Sequence, residues 1–304
     1  MKSSRSFYRF SIVVLVAVFM VIIAGGVVRM TQSGMGCPDW PKCFGMWVPP
    51  TNASQLPTDF EHYLKQQDID HSFNVFHTWT EYINRLLGAL LGLLLLIQFV
   101  WSLKLWKTNR KIVWLCFGVL LLTGFQGWLG KRVVDANLAT IKITTHMLVA
   151  IVIAGLALTI IHFLSNVRQY QNKRLRNITL LTLALLIVQI TMGTAVREQI
   201  DEISNQLNFE SRELWINKLN YIFYIHRSFS IIIAALCIYI YSQFKKSGIQ
   251  LLSNPLIVIS VTSEIILGVI MTYFDVPAIA QPLHLLFSTI LIIALYNNWL
   301  KTTT

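Results

Sequence analysis

The stretch FSIVVLVAVFMVIIAGGVV, from Phe10 to Val28, holds 19 residues without a charge. An α-helix rises about 1.5 Å per residue, so this stretch is long enough to cross a hydrocarbon core of roughly 30 Å. Three basic residues precede it, as in a signal peptide, but the run is long for one and no A-x-A-like cleavage site follows. The stretch therefore predicts a first transmembrane helix.

The rest of the chain has the same apolar character. Of its 304 residues, 55% are hydrophobic and only 13% are charged, and the mean hydropathy is +0.58, which argues against a soluble domain. Seven more apolar stretches lie at about 73–103, 112–134, 139–165, 177–197, 216–243, 252–274 and 277–300. We predict an all-α integral membrane protein with eight transmembrane helices.

The basic residues lie in alternate connectors. A net charge of +11 would favour nucleic-acid binding in a soluble protein. Here 14 of the 25 Lys and Arg residues lie before the first span, in 104–111, 168–176 and 245–246, and at the C-terminus, where there is no acid. The positive-inside rule then places both termini in the cytoplasm, with basic residues near lipid headgroups and no nucleic-acid partner.

Two connectors on the opposite side are long, 31–72 and roughly 198–215. Long loops commonly carry function, so we expect the function to face the outer compartment. The second loop is acidic, and a plain solvated spacer is the alternative interpretation for it.

The two halves of the chain share local patterns in the same order. Gly25 and Arg29 correspond to Gly193 and Arg197, the motif Tyr82-x-x-Arg85 to Tyr224-x-x-Arg227, and Gly130, sixteen residues before His146, to Gly268, sixteen residues before His284. Four spans is an even number, so a second copy would insert in the same orientation as the first. We predict two tandem, parallel four-helix bundles, residues 1–170 with the outer loop 31–72, and residues 171–304.

Ionisable residues inside the spans are functional candidates, because burying them in a bilayer is costly. His146, His226 and His284 all fall on even-numbered spans at a similar depth. Two imidazoles facing each other across a bundle provide the axial ligands of a haem iron. Glu264 is either functional or a helix-to-helix hydrogen-bonding group.

Four arginines accompany the histidine layer in repeat-related positions near the outer span ends: Arg29, Arg85, Arg197 and Arg227. Their guanidinium groups could hold haem propionates. The alternative is that they extend toward lipid headgroups.

The first half differs from the second at one key position, because Asn84 stands where the repeat has His226. Asn is a poor iron ligand, so we expect the first bundle to hold a haem through His146 alone, with His77 as the alternative second ligand. Glu81 lies one turn before Asn84, and the second half has Phe223 at its place. A carboxylate beside an open iron position suggests chemistry, whereas a bis-His site suggests electron transfer.

Cys37 and Cys43 follow the first span, on the predicted outer and oxidising side, where a disulfide is stable. Two cysteines without a further pair nearby do not make a zinc site. The disulfide would be either a structural staple or a labile, redox-active bond.

Together these residues resemble the haem A synthase family. The resemblance rests on the string Gly25-Gly26-x-x-Arg29-x-Thr31-x-Ser33-Gly34-x-x-Cys37-Pro38-x-Trp40-Pro41-x-Cys43, on Glu81-Tyr82-x-x-Arg85, and on His146, His226-Arg227 and His284. It covers essentially the whole chain.

The resemblance implies a membrane enzyme of the bacterial cytoplasmic membrane that oxidises the C8 methyl of haem O to a formyl group by successive hydroxylations. Glu81 would be the essential carboxylate and His146 the contact of the substrate haem. His226 and His284 would be the axial ligands of a haem b, and Cys37 and Cys43 the disulfide pair. Haem O synthase would be a partner, and a homo-oligomer is left open. The departure is Asn84, where many members carry His.

Two other functions are open from the residues alone. A dihaem cytochrome that only transfers electrons would use the same histidines but leaves Glu81 without a task. A proton-coupled transporter would use Glu81, Glu264 and the histidines as a relay and would bind no haem.

Overall fold

The computed structural model describes residues 2–65, 73–134, 140–165, 169–249 and 251–303. Residues 66–72 of the predicted outer loop lie outside this description. Within the described residues, eight helices are long and apolar enough to cross a membrane. They are α1 (Lys2–Met30), α3 (Val75–Ser102), α4 (Arg110–Val134), α5 (Thr140–Leu164), α6 (Lys173–Gln206), α7 (Tyr221–Lys246), α8 (Ser253–Tyr273) and α9 (Ala280–Lys301), while α2 (Phe60–Lys65) is short. The predicted all-α membrane protein with eight spans is confirmed.

The chain divides into two compact units, Met1–Leu164 and Ser165–Thr304. In the first unit, the long helices contact one another in a closed ring in the order α1, α3, α4 and α5. In the second unit, α6, α7, α8 and α9 form a similar ring. That the two units are related as a parallel repeat stays a prediction.

Polar contacts between helices supplement apolar packing inside each ring. In the first unit, Nε2 of Gln98 on α3 donates to Oγ of Ser11 on α1 at 3.0 Å, and both residues are buried. In the second unit, Nδ2 of Asn298 on α9 donates to Oδ1 of Asn254 on α8 at 3.0 Å. Helix association in lipid depends on such hydrogen bonds and on close packing, since lipid is as apolar as the helices themselves.

Asparagine caps fix where the site-bearing helices begin. Oδ1 of Asn74 accepts hydrogen bonds from the backbone N–H groups of Phe76 and His77, at 3.0 and 3.2 Å, at the start of α3. Oδ1 of Asn220 accepts from Ile222 N–H at 2.9 Å at the start of α7. Such caps satisfy backbone donors that a helix N-terminus leaves free. The start of each helix sets the depth of the functional side chains in its first turns.

The predicted loop 198–215 is wrong for its first half, because α6 continues to Gln206. Its 34 residues span about 51 Å, so the helix projects well past the hydrocarbon core. An ion pair between Arg197 and Asp201 (Nη2 to Oδ1, 2.7 Å) supports the extension. The apolar side of the extension packs in one cluster with buried residues from the following segments: Val196, Ile200, Ile203, Trp215, Leu219, Phe223 and Val276.

A minor feature closes the second unit at its other end. Residues Tyr170–Gln171 (β1) pair in parallel with Thr302–Thr303 (β2). The guanidinium of Arg176 lies 4.2 Å from the centre of the Trp299 ring and donates to the Trp299 carbonyl at 3.3 Å. The chain on either side of the four-helix ring is thereby held together.

Candidate functional site

Glu81 lies in the second turn of α3 and is only 4% exposed. Its Oε2 accepts a hydrogen bond from the backbone N–H of Cys37 at 2.7 Å. Its Oε1 accepts from Nε of Arg85 at 3.1 Å and forms an ion pair with Nη2 of the same side chain. Both carboxyl oxygens therefore have donors, and the carboxyl group is held in one orientation.

Arg85 joins this carboxyl group to the loop that follows α1. Its Nη1 donates to the backbone carbonyls of Asp39 and Lys42, at 2.5 and 3.0 Å, and its Nη2 donates to the carbonyl of Cys37 at 2.8 Å. One guanidinium thus binds three loop carbonyls and Glu81. The structure places Arg85 in contact with protein acceptors at the position where the sequence suggested a propionate ligand.

The loop itself is closed by a disulfide between Cys37 and Cys43, whose Cα atoms are 4.9 Å apart. Cys43 and Met46 exchange two backbone hydrogen bonds, of 2.9 and 3.1 Å, next to the bond. Both cysteines are fully buried and pack with Phe44. The predicted disulfide is present in the structure, and it forms the centre of the small core of this loop.

Gly36 brings the loop into direct contact with α3. A Cβ atom at Gly36 would lie 2.4 Å from the backbone carbonyl of His77, so a glycine is required for this approach. Oγ1 of Thr78 also donates to the Gly36 carbonyl at 2.9 Å. This close contact is what brings the Cys37 N–H within reach of Glu81.

Asn84 lies on α3 between Glu81 and Arg85, and its Oδ1 is buried without a hydrogen-bond partner. Arg29 lies in the last turn of α1, close in sequence to the loop. His77 lies in the first turn of α3, where it follows the Asn74 cap.

His146 lies in the second turn of α5 and faces α4. A Cβ atom at Gly130 would lie 3.4 Å from its Cε1, so the glycine leaves room for the ring. Nε2 of Gln126 donates to the His146 backbone carbonyl at 2.7 Å. Nδ1 of the imidazole is buried without a hydrogen-bond partner.

His226 repeats this arrangement in the second unit, between α7 and α6. A Cβ atom at Gly193 would lie 3.1 Å from its Cε1, and Nε2 of Gln189 donates to its backbone carbonyl at 3.0 Å. His284 on α9 differs, because its Nδ1 lies 3.1 Å from Oε2 of Glu264 on α8. Helices α7 and α9, which carry His226 and His284, occupy opposite corners of their ring of helices.

The second-unit arginines have different surroundings. Arg197 on α6 pairs with Asp201 and donates to Oε1 of Gln281 on α9. Arg227 is exposed on α7 and lies over the rings of Phe223 and Tyr224, at 5.7 and 5.5 Å from their centres. The guanidinium of Arg227 therefore remains accessible from outside the ring of helices.

This donor set fits a haem. Among the described residues, no group of three or more His, Cys, Asp and Glu side chains could hold a metal ion by itself. A haem iron takes four ligands from the porphyrin and needs at most two from the protein. The second unit offers two imidazoles from opposite helices, those of His226 and His284, whereas the described part of the first unit offers only His146 at the corresponding positions.

A comparison with known families identifies the family of this chain. Residues 8–296 match the family described as Cytochrome oxidase assembly protein (COX15-CtaA). The chain belongs to this family. The match covers both units, and therefore all of the histidines and Glu81.

Curated relatives extend the comparison over nearly the full length. A protein of Flavobacterium psychrophilum named Heme A synthase is 26% identical over 312 residues, covering 90% of this chain and 91% of the relative. One of Flavobacterium johnsoniae with the same name is 24% identical and covers 92% and 93%. A third, from Shewanella oneidensis, is 30% identical over 187 residues, covering 60% and 54%.

Sequence reasoning missed two kinds of residue at the site. Gln126 and Gln189 lie inside spans and contact histidine backbones, yet neither is ionisable, so a search for intramembrane charges overlooks them. Thr78 and Gly36 join the loop to α3 through the Thr78 hydroxyl, which donates to the Gly36 carbonyl, and through the close approach of the Gly36 backbone. A signal did exist for Gln126, which precedes His146 by the same twenty residues that separate Glu264 from His284.

Proposed function

We propose that this protein is a haem A synthase, which oxidises the C8 methyl group of haem O to a formyl group. The proposal is carried by the buried Glu81, whose two oxygens are held by Cys37 N–H and Arg85, in a chain of this family. An electron-transfer cytochrome would have no need of such a carboxyl group, and the relatives do not favour that alternative.

The chemistry requires a proton-accepting or water-positioning group next to an otherwise inert methyl group. Two successive hydroxylations, each a two-electron oxidation, followed by loss of water convert a methyl group to a formyl group. Glu81 holds or takes the proton at its carboxyl oxygens, which Arg85 and the loop keep in place. Arg85 thus acts on the substrate through Glu81.

We propose that the second unit holds a haem b, which His226 and His284 would bind. Such a group would supply a one-electron carrier. Arg197 and Arg227 are the candidate partners of its propionates. Arg227 is exposed, whereas Arg197 already forms an ion pair with Asp201. In the first unit, His146 contacts haem O, and Arg29 is the candidate propionate partner.

Because Asn84 stands where the second half has the ligand His226, the two haems should differ in their spectra. With haem O bound, the first unit should give a high-spin or weakly ligated spectrum, because it offers only His146 as a strong axial ligand. Asn84→His is expected to convert this haem to a low-spin bis-His form, measured by optical absorption of the purified protein. The same change at Asn205, on the α6 extension, should leave the spectrum unchanged. A low-spin first-unit haem in the unaltered protein would contradict the single-ligand site.

The bacterial relatives support a location in a bacterial cytoplasmic membrane. The charge distribution supports both termini in the cytoplasm, because the fourteen basic residues of the acid-free connectors then face inward. Glu81 and the disulfide loop then lie near the outer surface. Haem O would come from a haem O synthase in the same membrane.

Co-expression with a source of haem O, followed by chromatography of the extracted haems, tests the function. Haem A should appear only in cells that carry this chain. Cells that accumulate haem O under aerobic conditions, with the protein present in the membrane, would refute the assignment.

A further inference from the structure

Each of the three interior histidines is faced by a polar side chain from the preceding span, and this polar residue stands four positions before a glycine. The three sets are Gln126, Gly130 and His146; Gln189, Gly193 and His226; and Glu264, Gly268 and His284. In the fourth pair of successive spans, the first and second, the corresponding residues are Val21, Gly25 and Asn84. The polar residue and the histidine therefore occur together and are missing together.

The geometry shows why the two belong together. In the two glutamine sets, Nε2 donates to the backbone carbonyl of the histidine, at 2.7 Å for Gln126 and 3.0 Å for Gln189. The remaining Oε1 of each glutamine and Nδ1 of each histidine are buried without a hydrogen-bond partner. An unpaired acceptor and an unpaired donor thus occur in the same contact.

Glu264 is the exception among the three polar residues. It carries no amide donor, and its Oε2 lies 3.1 Å from Nδ1 of His284. That distance is within reach of a hydrogen bond, although the present orientation of the ring does not align Nδ1–H with the carboxyl oxygen. Only this histidine has a carboxyl group against its ring among the described interior histidines.

An acceptor at Nδ1 decides how an imidazole binds iron. The proton stays on Nδ1, so that Nε2 is free as a ligand, and the hydrogen bond fixes the plane of the ring. A carboxylate accepts more strongly than an amide and makes the imidazole more electron-donating. Electron donation to the iron favours its oxidised form.

We propose that Glu264 is a positioning residue for His284: it accepts the Nδ1–H bond, turns Nε2 toward the haem iron and lowers the reduction potential of that haem. This inference rests on the proposed function in one respect, that His226 and His284 hold a haem. Gln126 and Gln189 stand at the corresponding positions but hold the backbones of His146 and His226 through their amide donors.

The first test is the reduction potential of the second-unit haem in the purified full-length protein. Glu264→Gln places beside His284 the same amide side chain that Gln126 and Gln189 provide beside His146 and His226. The haem should be retained, and its reduction equilibrium should shift about tenfold toward the reduced form, which is about 59 mV for a one-electron couple. Glu202→Gln removes a carboxyl group from the exposed side of α6 and should leave the potential unchanged.

The outcomes separate this inference from the proposed function. A Glu264→Gln protein with its haem and an unchanged potential overturns the inference, whether or not it makes haem A. A shifted potential in a chain that produces no haem A supports the inference and overturns the function. A wild-type protein purified without any haem overturns both.

A second test does not depend on haem retention by the Gln variant. In His284→Gly, added imidazole should restore a low-spin haem with about tenfold higher affinity than 1-methylimidazole, which has no N–H to donate. Replacing Glu264 with Leu in the same background should abolish this preference. Equal affinities for the two ligands while Glu264 is present would overturn the proposal.

Discussion

Replacing Glu81 with Gln is expected to lower haem A formation by about 10²–10⁴-fold, the usual contribution of a general acid or base. The amide keeps the size of the side chain but cannot take a proton, and its NH2 group must face one of two donors, Arg85 or the Cys37 N–H. Haem O or a hydroxylated intermediate should accumulate. Chromatography of the extracted haems measures both.

The control for this variant is Glu61→Gln, which changes an exposed carboxyl group on α2 and should leave haem A formation unaffected. Protein in the membrane and the second-unit haem spectrum should be normal in both variants. Haem A formation at the wild-type rate by the Glu81 variant would remove the catalytic role.

Replacing His226 or His284 with Ala is expected to abolish the low-spin spectrum of the second-unit haem. Loss of an outer partner of a metal ligand typically costs about 10–100-fold in affinity, and loss of the ligand itself should cost more. Reduced-minus-oxidised spectra and pyridine-haemochrome analysis of the purified protein give the haem content.

The control for these two variants is His146→Ala, which removes the corresponding histidine of the first unit. It should leave the second-unit haem in place while haem A formation is lost. If this variant instead removed the low-spin haem, the assignment of cofactor and substrate to the two units would be reversed.

Hydropathy alone located every span, because a helix in lipid must be apolar over its crossing length. The span ends that hydropathy predicts are less accurate where a helix continues beyond the bilayer into water. Mean hydropathy predicts a loop in place of the α6 extension because its charged residues end the apolar run, although Ile200 and Ile203 continue the apolar side of the helix. A pattern with the helical period, rather than mean hydropathy, carries that information.

The histidines and Glu81 could be singled out from sequence because ionisable residues are rare in spans. The contacts of Arg85 could not, because its acceptors at Asp39, Lys42 and Cys37 are backbone carbonyls, which every residue has. The same holds for the Cys37 N–H that binds Glu81. The sequence therefore identifies the carboxyl group, while only the fold shows what immobilises it.

The α6 extension gives one end of the second unit the physical character of a water-soluble protein. Its core of Ile200, Trp215 and Val276 lies against the projecting part of a helix longer than the bilayer is thick. Burial from water stabilises such a core, whereas packing in lipid has no comparable hydrophobic gain. Urea weakens burial from water, so this end should open at denaturant concentrations that leave the membrane-embedded helices intact.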